Sequence, residues 1–208
     1  MPHPKTFSQK AGLVLTEALV AVTTLGMAVL ALGSITTNSI STTILSKDYL
    51  VASGLLDEGD EVVQSISYTN WLLKPADKLK CWLRLVPDNL SDFSCVNNVT
   101  SNSNYVAILN KGVWQMQAAN VDLDLDQNLN TNNNFQVYLN SDPKSPGYFS
   151  SLNSVNGPAI TKSKFFSSIK FTDVAADNSQ ATYTVSVQWK DGAKTHTMSK
   201  TTILYNYP

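Results

Sequence analysis

One carboxylate, Glu17, stands alone in an uncharged run between Lys10 and Lys47. A charge near the centre of a membrane helix costs roughly 2.5–3.5 kcal/mol and somewhat less near the interface, so it is a functional position by default and needs a partner. The other side chains able to do chemistry are few. Cys81 and Cys95 are the only cysteines. Two cysteines without a neighbouring histidine do not make a zinc site. In an exported domain their spacing favours one disulfide over two buried free thiols. Asp122, Asp124, Asp126 and Asn128 alternate as oxygen ligands do in calcium loops. The turn glycine and the terminal glutamate of such a loop are missing, and Leu123, Leu125 and Leu129 fit an edge strand with an acidic outer face, so a strand or turn is the preferred reading. Lys74, Lys78, Lys80 and Arg84 lie near Trp71 and Trp82, a basic-aromatic cluster that could stack bases and neutralise a DNA backbone. The competing and preferred reading is a solvated loop whose tryptophans help to close the core. His196, on a predicted strand beside threonines, reads as a surface residue. The carboxylates Asp57, Asp60 and Glu61 read as a solvated helix face. No nucleophile motif, metalloprotease motif, phosphate loop or dinucleotide fingerprint occurs. The sequence therefore predicts no enzyme and no cofactor.

These residues must be held by two very different stretches. Residues 13–32 form an apolar run of about the length that crosses a bilayer as a helix. Lys5 and Lys10 precede it and no basic residue follows until Lys47. The positive-inside rule then places the N-terminus in the cytoplasm and the bulk outside. An ordinary signal peptide is disfavoured, because the stretch is too long and no small-x-small site closes it. A plain signal anchor explains the hydrophobicity but not Glu17. The remainder is polar and rich in Asn, Ser and Thr. With a formal charge of −1 and Arg84 as the only arginine, the chain lacks the basic field of a nonspecific nucleic-acid binder.

The run Gly12-Leu13-Val14-Leu15-Thr16-Glu17 resembles the processing site of type IV prepilins. There a glycine ends a short basic leader, a hydrophobic residue becomes the new N-terminus, and a glutamate follows at mature position five. The stretch from Leu15 to Val22 is most similar to V-type minor pilins and I-type minor pseudopilins. Leu13 departs from the usual phenylalanine, a substitution found among minor pilins. The resemblance implies cleavage after Gly12 by a prepilin peptidase and N-methylation of Leu13. It also implies assembly through Glu17, whose carboxylate would pair with the free amine of a neighbouring subunit and set axial register. Gly12 carries no side chain, so a protease can approach an extended backbone there closely. The implied partners are other pilin subunits, the peptidase, an inner-membrane assembly platform and the lipid bilayer. The implied location is the bacterial inner membrane, then a cell-surface pilus. A type II secretion pseudopilin shares every one of these features, and an anchored extracellular binding module is the remaining alternative.

Helical periodicity continues beyond the apolar run through Ile40, Ile44, Val51, Leu55, Val62 and Ile66, widened by Leu56 and Val63. Lys47, Asp48, Asp57, Glu58 and Glu61 occupy the opposite face. One helix is thus expected from about Leu13 to about Ser67, with Gly26, Gly33, Gly54 and Gly59 as weak points. An acidic helix leading into Asn70-Trp71 is also similar to V-type sequences. The organisation expected is a leader over 1–12, a transmembrane and amphipathic helix over 13–70 and a β-rich domain over 71–208. Strands are predicted around 81–86 (weakly alternating), 106–109, 113–117, 135–139, 165–171, 182–189 and 194–204, with the last two as a hairpin about Asp191-Gly192. The fold class is α+β: a long N-terminal helix packed on an antiparallel sheet, as in the pilin fold that the resemblance implies.

Overall fold

A computed structural model describes residues 8–73, 78–85, 98–110, 113–119, 121–126, 135–140, 147–150 and 160–206. It divides into two units, Met1–Tyr49 and Leu50–Pro208. Helix α1 runs over Ser8–Leu73 and contributes to both. It is longer than expected at both ends. The Gly12–Leu13 bond therefore lies inside the helix rather than in extended backbone.

In the first unit, α1 is the one helix among the described residues that is long and apolar enough to cross a membrane. Its apolar side chains are exposed, Leu15 by 71 % and Leu30 by 76 %. Its threonines are satisfied within the helix. Thr23 and Thr24 donate to the carbonyl of Val20 at 2.9 Å, Thr36 to that of Leu32 at 2.8 Å, and Thr37 to that of Gly33 at 3.0 Å. Such back-bonding removes polar hydrogens that lipid could not satisfy. Ile40 and Ile44 are exposed as well.

The second unit is a helix-on-sheet sandwich. From α1, Ala52, Leu55, Leu56, Val62, Val63 and Ile66 form one buried stripe. They pack on Tyr183, Val185, Val187 and Trp189, all fully buried, together with Ile169 and Phe171. A short helix α2 (Lys78–Cys81) follows. Seven antiparallel strands then form one sheet: β1 (Ser103–Asn110), β2 (Val113–Ala119), β3 (Gln136–Asn140), β4 (Gly147–Ser150), β5 (Ile160–Val174), β6 (Gln180–Asp191) and β7 (Lys194–Tyr205). All but one of the predicted strands are present, and mostly longer. One expectation fails. Residues 81–85 make the end of α2 and a turn, with only an isolated bridge from Arg84 to Asn98. Residues 121–126 are a bend and a turn, the turn rather than the strand of the two forms the sequence left open.

The sheet forks at β5. One edge of β5 pairs with β6 from Phe165 to Val174. The other edge is shared: its first half, Ile160 to Phe166, pairs with β3, and Ser103–Tyr105 of β1 pair with Phe171, Lys170 and Ile169. A bulge at Gln136/Tyr138 marks the β3 branch. There Gln136 donates its amide to the Ser163 carbonyl at 2.7 Å, and the Ser163 hydroxyl donates to the Val137 carbonyl at 2.7 Å. These side chains replace ladder bonds lost to the bulge. At the β6–β7 turn Gly192 has φ +60°, the conformation a two-residue loop with glycine first requires.

Candidate functional site

Glu17 projects from the exposed apolar part of α1. Among the described residues no hydrogen bond or ion pair reaches its carboxylate. It thus contrasts with Thr23, Thr24, Thr36 and Thr37 of the same helix, which bond their own backbone. Leu13 lies four residues earlier, one turn away on the same helix side. The helical state of Gly12 corrects the expectation of an open chain at this bond: a protease that binds extended backbone must first unwind the opening turns of α1. A glycine among them lowers that barrier, since glycine is about 1 kcal/mol poorer than alanine in a helix interior.

The acidic patch on the second part of α1 is not simply a solvated face, and this is the main correction to the sequence reading. Asp60 is 7 % exposed. It accepts from the Tyr183 hydroxyl on β6 at 2.5 Å and from the Thr202 hydroxyl on β7 at 3.1 Å. Lys200 approaches its other oxygen at 2.9 Å, and the Gln64 amide donates to it at 3.3 Å. Lys200 also pairs with Asp57 at 3.1 Å. Burial opposes the charge of Asp60, but the hydrogen bonds from Tyr183, Lys200 and Thr202 outweigh it and hold the carboxyl below its usual range. Burial, then the bond to Asp60, pushes the Tyr183 hydroxyl up. Glu58, placed on the polar face by its spacing, is half-buried. Desolvation, reinforced by Glu61, raises it to about 7. Asp48 is buried too. One signal could have located Asp60: it falls four residues after Leu56 and three before Val63, inside the apolar stripe.

Beside this latch, Gly59 approaches β6 so closely that a Cβ there would stand 2.6 Å from Cγ1 of Val185. Gly59 is thus a contact position rather than a weak point. Gly26, Gly33 and Gly54 have open space around them. At the end of α1, Asn70 is 2 % exposed and donates its amide to the carbonyls of Trp82 at 3.3 Å and Arg84 at 2.9 Å. Asn70 of the Asn-Trp pair therefore clamps the helix to the turn after α2.

The predicted alternation of aspartates is built into a strap across the sheet. The Asp122 carboxylate accepts from Lys170 on β5 at 3.0 Å and from Asn104 on β1 at 2.7 Å. Asp124 accepts from the backbone N–H of Asp126 at 2.9 Å. Asp126 pairs with Lys190 on β6 at 3.6 Å and accepts from Thr195 on β7 at 2.6 Å. Between them Gln188 accepts from the Leu125 N–H and donates to the Leu123 carbonyl. The outer two carboxylates thus face different strands, and among the described residues no group of three His, Cys, Asp or Glu could hold a metal ion. Asn128 lies outside the described residues.

Among the described residues of the basic-aromatic cluster, two are buried. Trp82 is 2 % exposed and Arg84 is 5 % exposed, so neither can present a face to a base. Lys80 is exposed, and Lys74 lies outside the described residues. His196 stacks on Trp189, ring centroids 5.2 Å apart at 14°, and is half-buried rather than a plain surface residue. Cys81 is disulfide-bonded. The only other cysteine of the chain, Cys95, lies outside the described residues.

No protein-family model, no curated protein and no solved structure matches the chain. The functional reading therefore rests on the residues of the chain itself.

Proposed function

We propose that this chain is a structural subunit of a membrane-rooted fibre, a minor pilin of a type IV pilus, that acts by assembly and not by turnover. The observation that carries this reading is Glu17: a carboxylate without a partner among the described residues, on an exposed, membrane-capable helix where threonines such as Thr23 and Thr36 are turned onto their own backbone. A charge so placed is costly in lipid alone and is neutralised by a cation from another chain. The amine that cleavage after Gly12 would free on Leu13 is such a cation, one turn from Glu17. Residues 1–12 are then a leader removed by a prepilin peptidase, and Leu13 is N-methylated. The precursor sits in the bacterial inner membrane with its N-terminus inside, and an assembly platform passes it into the fibre with other pilins. A type II secretion pseudopilin works by the same physics. The experiment is intact mass and N-terminal sequencing of the protein from its native membranes. A chain starting at methylated Leu13 supports the reading. A chain retaining residues 1–12 in cells with active peptidase overturns it, leaving an anchored extracellular module.

A further inference from the structure

A cavity of about 440 Å³ opens between the start of β1, the end of β2 and the strap, lined by Thr100, Asn102, Ser103, Asn104, Asp122 and Lys170 together with Ala118, Ala119 and Val121. Its frame is pre-formed. Tyr105, 2 % exposed, accepts from the Thr100 N–H at 2.8 Å, and Thr100 and Ser103 share a hydrogen bond at 2.6 Å. The Ser101 hydroxyl accepts from the Val174 N–H at 3.0 Å. Asn102 completes the turn at φ 58°, a left-handed conformation that asparagine tolerates. Asn104, 8 % exposed, spends its amide nitrogen on Asp122 and keeps its amide oxygen as an acceptor.

The charges decide what such a cavity can hold. Asp122 and Lys170 cancel, so the site has neither the excess positive charge an anion needs nor the clustered carboxylates a cation needs. Both bonds to Asp122 go to one oxygen, Oδ1, which leaves Oδ2 to accept. Lys170 keeps two N–H donors after its bond to Asp122. An acceptor and a donor side by side match adjacent hydroxyls, each of which donates once and accepts. Ala118, Ala119 and Val121 add apolar lining for C–H groups. The volume falls in the range of small-molecule sites.

We propose that this cavity binds a neutral, hydroxyl-rich ring, that is, a pyranoside. Asp122 and Lys170 would grip adjacent hydroxyls, Asn102 and Asn104 would bond a further one, and Ala119 and Val121 would face the ring carbons. The inference does not depend on the fibre reading, since it uses only the second unit.

The test is saturation-transfer NMR on the full chain in detergent, with methyl glycosides of glucose, galactose, mannose and N-acetylglucosamine, each also offered as a disaccharide. Saturable transfer from at least one sugar is expected, whichever of the two forms carries it. Asn102→Gly preserves the left-handed turn while removing the amide, and is expected to weaken binding at least about 5-fold. Asp122→Ala is expected to weaken it at least about 10-fold, the order a lost charge-assisted hydrogen bond gives. Lys190→Met, which breaks the other ion pair of the strap, leaves binding unchanged. The proposal is overturned if no sugar gives saturable transfer. It is equally overturned if Asn102→Gly, with an unchanged melting curve, binds like the parent, or if inorganic phosphate or calcium displaces the sugar from the cavity.

Discussion

Tyr183 on β6 donates a hydrogen bond from its hydroxyl to Asp60 on α1 at 2.5 Å across the buried helix–sheet interface. Lys200 and Thr202 on β7 close on the same carboxylate. One side chain thus joins the helix to both strands of the terminal hairpin, and the latch fixes the rotation of α1 on the sheet. Asp60→Ala leaves Tyr183 buried without its acceptor and Lys200 with only the exposed Asp57. A loss of about 2–3 kcal/mol in urea unfolding is expected, against about 1 kcal/mol for Tyr183→Phe. The double variant should lose clearly less than the sum of the two. Strict additivity would show that the bond contributes nothing to the folded state.

Two carboxylates of this helix, Asp60 and Glu58, respond to pH in opposite directions. Asp60 is held below its unfolded value. Its contribution is present above pH ~4 and is lost as pH falls through the folded value. Glu58 is raised to about 7. The folded state therefore binds a proton that the unfolded chain has released, and stability falls as pH rises from about 4.5 to 7. Glu58→Gln should remove that slope and stabilise the protein at pH 8 by on the order of 2 kcal/mol, while leaving the acid limb below pH ~4 in place. Melting temperatures across pH 3–9 test this, and an unchanged slope between about pH 4.5 and 7 would count against a half-buried Glu58.

Gly59→Ala puts a methyl group 2.6 Å from Val185. The contact is between a helix backbone and a fully buried side chain, so neither gives way easily. A cost of about 1–3 kcal/mol is expected in spite of alanine's better helix propensity. Gly54→Ala, with open space around it, should instead stabilise by a few tenths to about 1 kcal/mol. If both variants move in the same direction, the close approach at Val185 is wrong.

Glu17→Ala removes the unpartnered carboxylate from the membrane-capable part of α1. Membrane insertion should be retained or improved, because a charge disfavoured in lipid is gone. Recovery in sheared surface fibres should fall at least about 10-fold relative to the membrane pool, the loss expected when a charge pair in an apolar setting is broken. Normal fibre recovery by immunoblot would detach Glu17 from assembly.

Much of this was legible in the sequence because it depends on local pattern. The apolar run, its lone Glu17 and the helical period from Val51 to Ile66 require nothing beyond neighbours along the chain. The strict alternation of Tyr183, Val185, Val187 and Trp189 similarly announces a strand with one buried face, and the structure buries all four. The strand after residue 146 escaped notice, since four residues are too few to show a period.

What the sequence determined by itself is a membrane-capable helix continuing into an amphipathic one, ahead of an antiparallel sheet. These follow from side-chain periodicity, which fixes which face turns inward. Only the tertiary structure decided what the polar residues do. Asp60 differs from Asp57 not in type but in lying beneath Tyr183, 123 residues away. Asp122 and Asp126 look like ligands in sequence and serve as ends of a strap, because Lys170 and Lys190 are brought to them by strand register. Gly59 reads as a helix weakness and is a contact, because Val185 occupies the space. The physical reason is common to all of these: burial and pairing depend on partners that only folding brings close, and no period along the chain records them.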